Sequence, residues 1–255
     1  MRIFSISLIL LIFFSCANTH KDNIKSKSEI TLLSEKVNDN PNDVIPLLNR
    51  AKYNLTKNKY ESALFDLKQC ILIDSSNNEC NYLAAFSYFE ISKYDKTKTD
   101  YGKYALECIK TSINYDKNNY LAYALYGEIN IAYARYHEAI EMFNNSLLIE
   151  YNQDKVHHLL GYAFKKLGQF EASINCFQNS INVNPDFIEP YIEMGLIYQS
   201  KNDTLTTTFY KNALNIDSSN TIVLYNLALY YQNNLLYNEA LSTYNDLLTY
   251  DSFNA

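Results

Sequence analysis

Glycine and histidine are scarce in this 255-residue chain, with five of the first and four of the second, and tryptophan is absent. So few glycines leave no glycine-rich phosphate loop, and neither an HExxH nor a GxSxG segment occurs. The usual signatures of nucleotide binding, zinc proteolysis and serine hydrolysis are therefore missing. His157 and His158 form the only histidine pair, and adjacent helix positions point about 100° apart, too divergent to chelate one metal. Glu189 and Glu193 share a helix face at i,i+4, but two carboxylates without a pocket read as a solvated face. No catalysis, cofactor or metal is expected. Positive charge is also in the minority: 22 Lys and Arg against 28 Asp and Glu leave a net charge of −6, which argues against a broad nucleic-acid surface.

What the chain does have is a period. A small residue recurs at Ala51, Ala85, Gly127, Gly161, Gly195 and Ala228, close to 34 residues apart except for one longer gap between Ala85 and Gly127. A second small residue follows twelve positions later at Ala63, Ala139, Ser173 and Ala240. Fixed-period self-similarity means one supersecondary unit repeated, hence a solenoid whose long surface is suited to binding. In residues 154–187 one apolar stripe runs through Leu160, Gly161, Phe164 and Leu167, and a second through Phe170, Ile174, Phe177 and Ile181, both at helical spacing. Gly168-Gln169 separates them, and Asn184-Pro185-Asp186 stops the second helix, because proline disfavours helix in the residue before it. Gly161 and Ser173 are small where the two helices are expected to cross, with Phe164, Phe170 and Phe177 filling the space around them.

This spacing resembles the tetratricopeptide repeat. Leu160-Gly161 match its positions 7 and 8, Phe164 position 11, Phe170 position 17, Ser173 position 20, Phe177 position 24, Ser180 position 27 and Pro185 position 32, with His157 at the large position 4. The register gives six units: 44–77, 78–119, 120–153, 154–187, 188–220 and 221–254. The turns between them, such as Asp74-Ser-Ser-Asn77, Asp116-Lys-Asn-Asn119, Asp217-Ser-Ser-Asn220 and Asp251-Ser-Phe-Asn254, are built from turn formers and helix N-caps. Residues 28–43 read as a capping half-repeat. Three departures stand out: Arg50 sits where leucine is expected, the second unit carries about eight extra residues around Tyr94–Tyr104, and the fifth is one residue short near Asn202.

The resemblance implies an all-α, right-handed superhelix whose concave surface is lined by positions 2, 5, 9 and 12 of each first helix. Carried over, these are Tyr82, Phe86 and Phe89 in the second unit; Leu121, Ala124 and Ile131 in the third; His158, Tyr162 and Lys165 in the fourth; and Tyr225 and Leu229 in the sixth. Such a lining suits an amphipathic helix or an extended apolar peptide; the other reading is that some of these residues pack on neighbouring units. The family's lysine and asparagine clamp for a terminal carboxylate is absent: position 5 holds Leu48, Tyr82, Ala124, His158, Ile192 and Tyr225, and position 9 holds no asparagine. The function expected is a non-enzymatic scaffold for a protein or peptide partner. The competing expectation is an assembly factor of an envelope secretion or pilus-type complex, acting through its stacking edges or convex face.

Residues 1–15 read as a signal peptide: Arg2, then a twelve-residue apolar run Ile3–Phe14, too short for a bilayer, which needs about 20 apolar residues. Ser15-Cys16 after that run resembles a bacterial lipoprotein cleavage box, although Phe13 stands where leucine is usual. Cys16 is then the lipidated start of the mature chain and 16–27 a flexible tether. That places the protein on the cell envelope through an N-terminal lipid, with the outer membrane favoured. The alternative is a plain secretory signal and a soluble, secreted or periplasmic protein. Of the other cysteines, Cys70, Cys80, Cys108 and Cys176 show no zinc-site spacing. Cys108 and Cys176 read as packing residues, while Cys70 and Cys80 end one helix and begin the next, where an oxidising compartment would allow a disulfide. At the far end Leu241, Tyr244, Leu247 and Leu248 form an apolar group, expected either to dock another copy or a partner or to stay exposed. The Tyr94–Tyr104 insertion is either a second contact or a length variant.

Overall fold

The computed structural model describes residues 27–95 and 97–250. Among the described residues there are thirteen helices and no strand. After α1 (Glu29–Asp39) come six pairs: α2 (Val44–Thr56) with α3 (Tyr60–Ile73), α4 (Asn78–Tyr94) with α5 (Tyr101–Tyr115), α6 (Tyr120–Ala132) with α7 (Tyr136–Ile149), α8 (Asp154–Lys166) with α9 (Phe170–Val183), α10 (Ile188–Ser200) with α11 (Leu205–Ile216), and α12 (Thr221–Asn233) with α13 (Tyr237–Tyr250). Each helix packs mainly on its neighbours in the chain, and the core is a succession of four clusters instead of one centre. This is an all-α repeat solenoid. The apolar run Ile3–Phe14, Cys16 and the Asp251–Asn254 turn lie outside the described residues. No described helix is long and apolar enough to cross a membrane.

The helix crossings explain the period. Where position 24 is aromatic and fully buried, at Phe143, Phe177 and Tyr210, the facing position 8 is glycine. A Cβ on Gly127, Gly161 or Gly195 would lie 2.4, 2.7 or 2.4 Å from those rings. Where position 24 is the smaller Leu67 or Ile109, the facing residue is Ala51 or Ala85, and all four are fully buried. The chain thus trades volume across each crossing, as close packing demands. Tyr244, at position 24 of the unit with Ala228, is only half-buried, and its hydroxyl donates to Gln232 Oε1 at 2.9 Å. Tyr210, buried, donates to Gln199 Oε1 at 2.6 Å, so tyrosine at position 24 goes with glutamine at position 12. The second small residue is present in all six pairs: offset by the insertion and the deletion, Ala105 and Thr206 join Ala63, Ala139, Ser173 and Ala240 at the crossing.

Two polar ties recur. Position 27 donates to the carbonyl that opens its own unit: Ser112 to Asn78 at 2.8 Å, Ser146 to Tyr120 at 2.9 Å, Ser180 to Asp154 at 2.8 Å and, more weakly, the Cys70 thiol to Val44 at 3.8 Å. Position 4 reaches back to the position-32 carbonyl of the unit before: Asn81 to Ser75 at 3.1 Å, His157 Nε2 to Tyr151 at 2.9 Å and Tyr191 to Pro185 at 3.1 Å. Carbonyls at the helix starts and in the turns are satisfied in this way. The turns also close as Asp and Asn favour: Asp74 and Asp217 each accept from the amide two residues on, and Asn77, Asn119 and Asn220 cap the helices that follow.

The departures have local causes. Arg50 forks onto Asp66, Nε to Oδ2 at 2.9 Å and Nη2 to Oδ1 at 2.7 Å, and its other arm reaches Ser34 of α1 at 3.4 Å. Asp66 is 1% exposed, so a bidentate ion pair replaces the leucine contact and joins α1, α2 and α3. The insertion lies only partly between its helices: α4 has 17 residues where the other first helices have 13, and the rest lengthens the link at 95–100 and α5. Outside this unit, every pair turns through a left-handed residue two positions past its first helix: Asn58, Ala134, Gly168, Asn202 and Leu235, with φ between 51° and 74°. Glycine adopts that conformation freely and asparagine tolerates it, whereas Ala134 and Leu235 are strained by about 1–2 kcal/mol each. Cys70 and Cys80 lie side by side, both fully buried, as free thiols.

Candidate functional site

First helices approach one another across the solenoid, α4 to α6 and α6 to α8, more closely than any pair of second helices does. They therefore line the inside of the curve, and side chains at positions 2, 5, 9 and 12 form that inner face. Leu121 and Tyr225 are 45% and 51% exposed, while Tyr82, Phe86, Ile131, His158, Tyr162, Lys165 and Leu229 are half-buried. Tyr82 and Phe86 rest on the first core cluster, and Phe86 meets Tyr60 edge-on with ring centroids 6.0 Å apart. Ile131 rests on the cluster around Phe143. The His158 ring lies 5.6 Å from Phe177 and 5.3 Å from Phe187, and its Nε2 has no partner among the described residues. Burial lowers the His158 pKa, with Glu193 and Glu189 opposing the shift, so the ring is neutral near pH 7.

Phe89 is a correction to the expected lining. It is 4% exposed, because the lengthened end of α4 and the link after it cover that position. Lys93 Nζ sits 4.3 Å over its ring, and Asp95, Lys98 and Tyr133 stand around it. Ala124 is buried as well. His157 belongs to the core and holds the turn before it, as described above; burial lowers its pKa against the opposing hydrogen bond to Tyr151.

The charges of the inner face are mostly paired. Lys52 bridges Glu79 at 2.6 Å between α2 and α4, Lys93 bridges Glu90 at 2.5 Å, and Lys165 bridges Glu193 between α8 and α10. Glu128, at position 9 of α6, makes no ion pair or hydrogen bond among the described residues. Burial raises its pKa, with Lys93 and Lys155 pulling it down and Glu90 pushing it up. The sequence reading passed over Glu128. The available signal was that it is the one acidic residue among the position-9 set Lys52, Phe86, Glu128, Tyr162, Leu196 and Leu229. Among the described residues no cluster of His, Cys, Asp and Glu is arranged to hold a metal.

On the opposite side, α3 and α5 flank an apolar recess of about 380 Å³ lined by Lys68, Ile71, Leu72, Tyr88, Tyr104, Glu107 and Cys108. Tyr88 makes ring contacts with Tyr101 and Tyr104 at 5.0 and 5.5 Å, and Leu72 is 77% exposed. The recess belongs to the insertion-bearing unit and its predecessor.

A family model described as TPR repeat matches residues 161–202, from the middle of α8 to the turn after α10. The BBSome complex member BBS4 of Bos taurus is 29% identical over 117 residues, covering 46% of this chain and 22% of that protein. The chain spans about a quarter of the length of the curated relatives it matches. Among solved structures, pilF of Pseudomonas aeruginosa superimposes with a TM-score of 0.66 at 17% identity, covering 82% of this chain and 96% of that one. YrrB, described as a TPR protein with an unusual peptide-binding site, gives 0.61 at 16% identity, covering 76% and 96%. At these identities the likeness is one of fold. The fold is a tetratricopeptide-type solenoid, an architecture of protein-interaction scaffolds.

Proposed function

We propose that this protein is a non-enzymatic scaffold that holds a peptide or helix of a protein partner along its inner face, tethered to a bacterial cell envelope through a lipid on Cys16. The observation that carries the binding reading is the inner row itself: Leu121, Tyr82, Phe86, Tyr162, Tyr225 and Leu229 keep part of their apolar surface in solvent while the charges around them are largely paired off. An apolar strip on a rigid helical frame suits an amphipathic or extended segment. The peptide-binding site ascribed to YrrB supports the same reading by likeness of fold. The envelope reading rests on the sequence around Cys16, and Cys16→Ser is expected to move the protein from the membrane to the soluble fraction.

The test is affinity purification of the tagged full chain from its own membranes beside Leu121→Glu/Tyr225→Glu. These two are the most exposed members of the row, so charge there spares the core. A partner held by wild type and lost by the folded double variant supports the groove. Equal recovery moves the function to the second reading, an assembly factor working through its outer face. That reading is favoured by the recess under Tyr88 and Tyr104 and by the exposed Leu72 beside it.

A further inference from the structure

The geometry points to Glu128 as the specificity residue of the inner face, selecting a partner segment that carries one lysine or arginine within an otherwise apolar stretch. This rests on the groove reading above and goes beyond it by stating the chemistry of the occupant. Three inner-face carboxylates have their own lysines: Glu79, Glu90 and Glu193. Glu189, at the rim, is exposed. Glu128, at position 9 of the inner face, is half-buried with neither an ion pair nor a hydrogen bond among the described residues. It stands in the central unit, between Tyr82 of α4 and the His158 helix α8, and its charge is felt by the Tyr82 hydroxyl.

The same two positions form an ion pair elsewhere in the solenoid and do not form one here. Lys52 at position 9 reaches Glu79 at position 2 of the next unit; Glu128 and Lys155 hold the same two positions with the charges reversed, yet Lys155 stays exposed and unbridged. Burying a carboxylate costs free energy unless a cation or donor compensates it. The geometry is that of a half-buried carboxylate without a donor or cation of its own, set in a row with Tyr82, Phe86 and Leu121. A peptide cation laid against it would supply the missing partner, and a neutral peptide would leave it uncompensated. Discrimination then comes from the cost of the wrong ligand as much as from the gain of the right one.

The test is selection from a random dodecapeptide phage library on the immobilised full chain, on Glu128→Gln and on Leu121→Glu/Tyr225→Glu. Wild type is expected to enrich apolar peptides with one basic residue, and Glu128→Gln to enrich apolar peptides without that preference. Replacing the basic residue of a selected peptide by citrulline or norleucine should weaken wild-type binding about tenfold, equivalent to about 1.4 kcal/mol, and leave Glu128→Gln binding unchanged. Lys155→Met should keep the preference; its loss would show that Lys155 sets the local charge and would overturn the assignment. The same peptides from wild type and Glu128→Gln overturn it while leaving the groove intact. Peptides that bind the Leu121→Glu/Tyr225→Glu variant as well as wild type, or no enrichment at all, overturn the groove reading together with it.

Discussion

The first two units and the three after them solve the same crossing in different ways. Units three to five, residues 120–220, put glycine against a buried aromatic ring and leave little else to specify. Units one and two, residues 44–119, use alanine against Leu67 or Ile109, and make up for the smaller side chains elsewhere. Unit one adds a buried ion pair, and unit two adds a turn of helix and a cluster of tyrosines. A period therefore fixes the volume at each crossing and not the residues, and departures from the family pattern concentrate where the volume is supplied by other means.

The largest expected effect breaks the comparison at its polar end. Asp66→Ala strands the Arg50 guanidinium among α1, α2 and α3, and loss of one partner of a buried pair costs about 3 kcal/mol. Urea denaturation of the variant should show that loss, and Arg50→Leu/Asp66→Leu should recover most of it. The glycine crossings come next. Gly161→Ala drives a methyl into Phe177 and should destabilise by about 1–3 kcal/mol, as overpacking does. Gly161→Ala/Phe177→Leu, which copies units one and two, should recover most of that. A double variant no more stable than Gly161→Ala would refute the volume trade.

Smaller effects sharpen the same contrast. Ala134→Gly relieves a left-handed alanine in unit three and should stabilise by about 0.5–1 kcal/mol, the strain relieved exceeding the entropy added to the unfolded chain. The smallest is a pH effect. Burial lowers the pKa of both His157 and His158, so their contribution is whole above the unfolded value of about 6.5 and is lost as pH falls through the lower folded values. Glu128 acts in the opposite sense, because its raised pKa gives stability that is lost as pH rises. Thermal melts of wild type should therefore fall between about pH 7.5 and 5.5, and the fall should be shallower in His157→Phe.

The solenoid was legible because a small residue at a crossing is a packing demand that recurs with the unit, visible from Ala51 to Ala228. The polar ties were harder to see: Ser146 and Cys70 look like small core residues until their carbonyl acceptors are known, and His157 looks like a bulky filler. Phe89 was misplaced because family positions assume a first helix of ordinary length, and α4 continues past it. Ala105 and Thr206 escaped the count because the insertion and deletion shift them out of register. Glu128 was passed over because charge on a helix ordinarily faces solvent, and only its partial burial without an ion pair sets it apart.

The central claim is that the inner face holds the partner. Benzoylphenylalanine placed at position 121, and separately at position 72 on the outer recess, would test it by photo-crosslinking in living cells. An adduct formed from position 121 and not from position 72 is the predicted result. An adduct from position 72 with none from position 121 would contradict it and assign the work to the outer face.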